Sequence, residues 1–306
     1  MNRNFISSIE KLARDYPKET FAAAISGGAD SMALLYWMKE TNLPVVALTV
    51  DHGLRKESAA EAAHVAATCK KIGVKHKILK WASKKPKTGI EAAARAKRYD
   101  LMTQFCKKNN IRVLITAHHA DDQIETFFIN LGRGSGVYGL AGMRERTERD
   151  GIVIFRPLLK TPRDALRKYC DDNKIKFFDD PMNGDDKFLR VKIRENRRAL
   201  GLSDERLLLA VENLGRARDF LEAKADEWPK KIPVEIDAIM LLDMPDELRF
   251  RILSKILSKG AYPPRLDGVK KAFEKLDAGD CGFTLANCNI RRRKNKIRIW
   301  EECRKK

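Results

Sequence analysis

The six cysteines of this 306-residue chain are scattered singly, and no C-x-x-C pair occurs among them. That spacing argues against a zinc site, an iron–sulfur site or a disulfide framework, and fits reduced, buried thiols in a cytoplasm. No apolar run reaches the roughly 18 residues that a membrane-spanning helix needs. The start, MNRNFISSIEKLARDYPKET, spreads acids and bases throughout, unlike the apolar stretch of a signal peptide. Internal repeats and low-complexity segments are lacking as well. Acidic residues are in deficit: 61 Lys and Arg face 42 Asp and Glu, a formal charge of +19. Such an excess commonly accompanies a polyanionic partner, nucleic acid before an anionic membrane, with lysine enrichment from a biased genome as the bland alternative.

What is present is length for two domains and a hydrophobic fraction of 43%, ordinary for a globular protein. Over the first 160 residues apolar, β-type runs alternate with amphipathic segments. The runs are FAAAIS (21–26), PVVALTV (44–50), KHKILKW (75–81), RVLITA (112–117) and IVIFRP (152–157). Helical periodicity lies between them in SMALLYWMKE, ESAAEAAHVAATCKKIG, GIEAAARAKRYDLMTQFCKKN and DDQIETFFINLG, with stop signals at Gly73 and Gly132. This alternation predicts an α/β fold, a parallel sheet with helices on both faces. From 160 to 200 the pattern turns irregular and highly charged. Residues 203 to 227 read as a long helix interrupted or capped near Gly215, and Pro229 and Pro233 mark a boundary. Beyond them the sequence predicts helices near 246–258 and 265–277 and two strand-like runs, GFTLANCNI and KIRIW. The expected organisation is a catalytic domain over 1–200, a helical linker over 201–229 and a small basic α+β domain over 230–306.

The chemistry concentrates in AAAISGGADSMALLYWM (22–38), where a strand ends in Ser26-Gly27-Gly28-Ala29-Asp30-Ser31 and a helix starts at once. Glycines let the backbone approach an anion, and the free N–H groups at a helix start favour phosphate. Ser26 and Ser31 add hydroxyls, and Asp30 can hold a magnesium ion. The stretch is neither a Walker loop nor a dinucleotide-binding G-x-G-x-x-G. It resembles the PP-loop of the N-type ATP pyrophosphatases, which cleave ATP between the α- and β-phosphates and leave an adenylated substrate. An ordinary βα turn is the plain alternative, disfavoured by its place at the carboxyl end of the first strand.

Further stretches carry a closer resemblance: VDHGLRKES (50–58), GIEAAAR (89–95), AHHADDQIETFFINLGRGSGVYGLAGM (117–143), RPLL (156–159) and DPMNGDDKFLRVKIR (180–194). With the opening motif they resemble the tRNA(Ile)-lysidine synthetase family over roughly residues 20 to 200, in the right order. LANCNIRRRKNKIRIW near the end is weakly similar to the C-terminal domain of some members. The resemblance implies a PP-loop ATPase fold of the Rossmann-like (HUP) type and a ligase that joins free L-lysine to the wobble cytidine of an isoleucine tRNA with a CAU anticodon. ATP and Mg2+ are the implied co-substrate and ion, and AMP and pyrophosphate the products. Lysidine would then change the codon read from AUG to AUA and the amino acid from Met to Ile. A homodimer is the candidate assembly.

In the resemblance, Ser26, Gly27, Gly28, Ala29, Asp30, Ser31 and His52 bind the nucleotide and Asp30 the magnesium. Asp30, Arg95, His119, Asp122 and Glu125 are the catalytic candidates. Asp122 and Glu125 are three apart on one helix face, suited to capturing or deprotonating an ammonium group, with helix capping as the plain alternative. His118, Asp121, Glu91, Arg133, Gly134, Ser135, Gly136, Asn183, Asp185, Arg190 and Arg194 are candidates for substrate and tRNA contact. Glu91 and Arg95, at i and i+4, could equally form a surface salt bridge. The glycine-rich stretch from Arg133 reads as a mobile loop closing over the reaction or as a plain connection. Met182 and Val191 stand where the family usually has serine and asparagine. In the basic tail NIRRRKNKIRIW, two strands around a Lys-Asn turn would present cations to phosphates or simply to solvent.

Three other readings compete. A tRNA 2-thiolation enzyme needs cysteines near its motifs, and Cys69, Cys106 and Cys170 lie instead in helix-like stretches. Amidating PP-loop enzymes act on small acids and leave the tRNA-type motifs and the basic balance unexplained. A non-catalytic tRNA-binding module would be free to lose the loop residues, Asp122 and Glu125, and all are intact.

Overall fold

The computed structural model describes residues 2–54, 57–83, 86, 88–178, 185–199, 201–229, 231–258 and 264–302. The chain divides into two compact units, 1–212 and 213–306.

The first unit opens with α1 (Arg3–Asp15), capped by the Asn2 side chain, which accepts from the Phe5 amide at 2.8 Å. Then come β1 (Phe21–Ala24), α2 (Ala29–Glu40), β2 (Val45–Asp51), α3 (Glu57–Ile72), β3 (Lys75–Lys80), α4 (Ile90–Lys108), β4 (Val113–Ile115), α5 (Ala120–Gly132) and α6 (Val137–Leu140). The unit continues through β5 (Arg146–Arg149), β6 (Ile152–Phe155), α7 (Arg163–Asp172) and α8 (Asp185–Ala199). Helix α9 (Asp204–Asp226) carries the chain into the second unit.

The six strands form one sheet in the order β3-β2-β1-β4-β6-β5, and every neighbouring pair is parallel except β5 with β6. The expected α/β sheet is therefore present, with an antiparallel edge strand that the periodicity did not reveal. Arg146–Arg149 is short and polar, as edge strands tend to be. Alternation along the strands builds a core on each face. Phe21, Ala23, Ile25, Ala47, Val113 and Ile115 pack with α1, α2 and α7, while Ala22, Val46, Leu48, Leu114 and Ile154 pack with Tyr99, Met102 and Cys106 of α4.

Helix α2 is buried nearly all round, which explains its continuous apolar sequence. Trp37 packs between Phe5 of α1 and Tyr169 of α7, with ring centroids 5.1 and 5.5 Å away. Helix α1 was missed in the charge-rich start because only Phe5, Ile9 and Leu12, at one-turn spacing, mark its buried stripe. The irregular reading of 160–200 is corrected by α7 and α8, whose charges occupy exposed faces and ion pairs. Gly215 does not interrupt α9; a single glycine costs a long helix about 1 kcal/mol, too little to break it.

The second unit is a sheet ordered β7-β10-β9-β8, antiparallel throughout, made of β7 (Val234–Asp237), β8 (Cys281–Leu285), β9 (Cys288–Arg293) and β10 (Lys296–Glu301). Helices α10 (Ala238–Leu242), α11 (Asp246–Leu257) and α12 (Leu266–Asp277) share its core, with Ile252, Leu253 and Phe273 against Ile290, Ile297 and Ile299. The run GFTLANCNI is two strands, because Ala286 and Asn287 both take positive φ and form a two-residue hairpin turn. The cations of β10 alternate outward as expected, yet Lys296 and Arg298 both pair with Glu235 at 2.6 and 2.5 Å.

Among the described residues the five cysteines are free, and burial pushes the thiols of Cys69, Cys106 and Cys170 up to about 11, 12 and 11. Leu34 is fully buried in the main core. Leu34→Ala is expected to lower unfolding free energy by about 2–5 kcal/mol in a urea titration, and a loss below about 1 kcal/mol would contradict this packing.

Candidate active site

Strand β1 lies between β2 and β4, where the order of an open α/β sheet reverses and ligands bind beyond the strands' carboxyl ends. The Ser26–Ser31 stretch sits there. Gly27 has φ +95°, a region that favours glycine, and a Cβ on it would approach the Val65 side chain at 3.4 Å. Ser31, in the first turn of α2, ties the turn together. Its hydroxyl accepts from the amides of Ser26 and Gly27 at 3.1 and 3.2 Å and donates to the Gly28 carbonyl at 2.9 Å. The Phe178 amide donates to the Gly27 carbonyl at 2.9 Å, so the segment after α7 braces the same turn.

From the neighbouring strand β4 the chain reaches His119, the N-cap of α5, which is only 4% exposed. Its Nε2 lies 3.5 Å from Asp30 and 3.6 Å from Asp122, and its Nδ1 lies 3.9 Å from Asp121. Burial by itself would lower the His119 pKa; the hydrogen bond to Asp30 and the charges of Asp122, Asp30 and Asp121 outweigh it and hold it above the ordinary value. Burial would likewise raise Asp122, but His119, His118, the His119 amide and Arg190 keep it below the usual carboxylate range. Asp122 also completes a capping box by accepting from the His119 amide at 3.0 Å.

Helix α8 presents a matching set of cations. Arg190 reaches Asp122 at 3.3 Å and Glu125 at 3.0 Å, and Arg194 reaches Glu125 at 2.5 Å. Arg197 reaches Asp121 at 2.7 Å and Asp204 at 3.1 Å. Glu125 is 0% exposed and Arg197 3%, so each of their pairs has one buried member, while Arg190 and Arg194 stay partly in contact with solvent. The two carboxylates expected to meet an ammonium group are thus engaged by guanidiniums. Arg197 escaped the sequence reading, although its spacing from Arg190 and Arg194, seven and three residues, puts all of them on one helix face opposite Asp121, Asp122 and Glu125.

His118 is held differently. Its Nδ1 lies 2.9 Å from the Thr116 hydroxyl and its Nε2 3.4 Å from Arg95. Burial, reinforced by Arg95, Arg156 and Arg98 against the pull of Asp122, drives its pKa down to about 3. The ring is therefore neutral, with the proton on Nδ1 and Nε2 accepting from Arg95.

His52 follows β2, edge-on to Trp81 with centroids 6.3 Å apart, while Asp51 fixes the turn by accepting from the Gly53 amide at 2.9 Å and the Ser58 hydroxyl at 2.8 Å. Arg133 caps α5, and the glycine-rich stretch after it is knit back onto that helix rather than hanging free. The Ser135 amide donates to the Asn130 carbonyl at 3.0 Å, the Asn130 side chain donates to the Gly139 carbonyl at 2.7 Å, and Gln123 clasps both backbone groups of Met143. Helix α5 ends at Gly132, where the stop signal was expected, Gly134 then takes φ +69°, and Gly136 caps α6. Asn183 and the side chains of Glu91 and Asp185 lie outside the described residues.

Among the described residues no group of three or more His, Cys, Asp or Glu forms a metal cage. Asp30 nonetheless has a buried Oδ1 with no hydrogen-bond partner. One such carboxylate suits Mg2+, which commonly takes one or two carboxylates and completes its shell with phosphate oxygens and water.

The PP-loop domain family matches residues 1–198. Curated tRNA(Ile)-lysidine synthases align over most of the chain. The protein of Ruegeria pomeroyi is 34% identical over 302 residues, covering 94% of this chain and 72% of its own. That of Wolbachia pipientis wMel is 36% identical, covering 92% and 70%, and that of Rhodopseudomonas palustris is 36% identical, covering 88% and 83%. Among solved structures, a U34-tRNA thiolase from Methanococcus maripaludis superposes with a TM-score of 0.58 at 17% identity, covering 71% of this chain and 78% of its own. That likeness shows a shared fold.

Removing one partner of a buried ion pair strands the other. Arg197→Ala is therefore expected to cost about 3–5 kcal/mol of stability, read by urea unfolding, and a change below about 1 kcal/mol would contradict the buried Asp121–Arg197 contact.

Proposed function

The chain belongs to the tRNA(Ile)-lysidine synthase family, and from that premise we propose that it joins the ε-amine of free L-lysine to the wobble cytidine of an isoleucine tRNA at the expense of ATP. The observation that carries the reading is the meeting of Asp30 with His119 at the reversal point of the sheet, beside the glycine turn. The cytosine 2-carbonyl oxygen attacks the α-phosphorus of ATP and pyrophosphate leaves. The lysine amine then attacks carbon 2, gives up a proton, and AMP departs with the former carbonyl oxygen. Adenylation is needed because a carbonyl oxygen is otherwise a poor leaving group.

In this proposal Ser26, Gly27, Gly28, Ala29 and Ser31 cradle the departing pyrophosphate, with His52 beside the nucleotide. The hydroxyl of Ser31 already bonds the turn's amides, which supports a site shaped for anion oxygens. Asp30 would hold Mg2+, which supplies positive charge against the phosphates when bound. His119, its pKa raised by its carboxylates, would direct Nε2 toward the charge that develops on the nucleotide. Lysine, with an amine pKa of about 10.4 in water, has to lose a proton before it attacks. Asp122 and Glu125 supply the anionic patch for it, and since Arg190 and Arg194 hold them now, the ammonium enters by exchange with those guanidiniums. Arg95, Arg133, Arg190 and Arg194 serve the tRNA or its phosphates, and Glu91, His118, Asp121, the Gly134–Gly136 stretch, Asn183 and Asp185 complete the proposed contacts. No helix of the described residues is long and apolar enough to cross a membrane, and the free thiols fit a cytoplasmic setting.

Purified protein with ATP, Mg2+, labelled lysine and isoleucine tRNA transcripts bearing C or U at the wobble position tests this. Lysine is expected in the C-bearing tRNA alone, and Asp30→Ala is expected to abolish AMP formation. AMP and pyrophosphate released with tRNA while lysine stays free would overturn the second substrate. Glu125→Gln is expected to raise the KM for lysine by about ten-fold or more, the scale of a lost charge-assisted contact, with less effect on tRNA-dependent AMP formation.

A further inference from the structure

A second group of cations, outside the loop at Ser26–Ser31, surrounds Tyr99 and His118. Helix α4 sets Arg95, Arg98 and Tyr99 within about one turn. The guanidinium carbons of Arg95 and Arg98 lie 5.6 and 6.0 Å from the Tyr99 ring centre. Arg156, just beyond the end of β6, meets the Tyr99 hydroxyl and donates from its NH1 to the Arg144 carbonyl at 2.9 Å and the Thr147 hydroxyl at 3.0 Å. Its Nε is buried with no hydrogen-bond partner. Arg149 also lies over Tyr99, at 4.8 Å, but Asp100 and Asp150 pair with it at 3.1 and 3.6 Å.

Among the described side chains, which do not include that of Glu91, no carboxylate pairs with Arg95, Arg98 or Arg156 within 4.0 Å, the distance that defines the chain's other ion pairs. Like charges gathered around one ring repel, and with Arg95 exposed and Arg98 and Arg156 half-buried, water screens that repulsion only in part. Burial and then Arg95 hold Arg98 below its ordinary pKa, and burial does most to lower Arg156. His118 adds no positive charge, and by accepting from Arg95 it fixes that guanidinium in place. A bound oxyanion would relieve the repulsion, and guanidinium forks match phosphate oxygens.

We propose that Arg98 and Arg156, with Arg95 and His118, form a second phosphate site, separate from the Ser26–Ser31 turn, that takes a backbone phosphate of the RNA next to the reacting nucleotide. This rests on the reading of the chain as a tRNA-modifying ligase. ATP is the other source of phosphate, but its polyphosphate has a cradle in the amides between β1 and α2. The second site gathers instead Arg95 and Arg98 on α4, His118 after β4 and Arg156 after β6. A contact of this kind positions a strand without reading its bases, in keeping with a chain of charge +19.

The test uses the full chain and Arg98→Gln, with Arg98→Lys as the variant that keeps the charge. Direct tRNA binding is followed by fluorescence anisotropy over a range of KCl, and AMP formation is followed against tRNA and against ATP. Arg98→Gln is expected to weaken tRNA binding about ten-fold and to make the salt slope shallower by about one, with the KM for ATP unchanged. Arg98→Lys is expected to restore most of the slope. A raised KM for ATP with unaltered tRNA binding would assign the site to ATP and overturn the proposal. Unaltered binding of both, or a loss of thermal stability that Arg98→Lys does not restore, would reduce the cluster to a structural stack on Tyr99. Failure of the wild-type chain to form AMP with tRNA would sink the functional reading instead, while the salt slope still reports on the phosphate site.

Discussion

The approach of His119 to Asp30, 3.5 Å between Nε2 and Oδ2, depends on β1 and β4 being neighbours although three crossover connections lie between them in sequence. The parallel pairing sets the start of α2 beside the start of α5, and both helices direct their positive ends to one place. Ser31 then orders the glycine turn from within α2, and Phe178 braces it from outside. An imidazole held among Asp30, Asp122 and Asp121 has its pKa held above the ordinary value by those carboxylates.

The second constraint is electrostatic. Glu125 has no exposure to water, and an ionised carboxylate there requires cations in contact. Helix α8 supplies them through Arg190 and Arg194, and Arg197 does the same for Asp121. In the proposed reaction, stability and function make opposing demands on these acids: the guanidiniums that allow their burial also occupy the positions an incoming ammonium would take. The proposed exchange between the two would keep the carboxylates paired at every stage and so avoid the cost of a bare buried charge.

Several features were readable from residue order because they depend on local periodicity. Every second residue of FAAAIS, PVVALTV and RVLITA is directed to the same face, and that rule alone separates the two cores later found around Phe21 and Ala22. The glycine turn was legible from its residue types, since Gly27 takes φ +95° and Ser31 bonds the amides around it. Elements stabilised from elsewhere were not legible. The polar edge strand Arg146–Arg149 exists because β6 offers it a free side, α1 shows only a narrow apolar stripe, and α9 carries Gly215 through a long helix at little cost.

Sequence by itself determined the alternation of strand and helix, the glycine turn and the family, because each lies in residues close together along the chain. Tertiary structure decided which acids meet which arginines. The pairing of Asp121 with Arg197 spans 76 residues, and the contact of His119 with Asp30 spans the whole β1-to-β4 connection. Such partners are chosen by how helices pack on a sheet, and the energy of an ion pair depends on burial. Neither packing nor burial is a property of the residues one at a time.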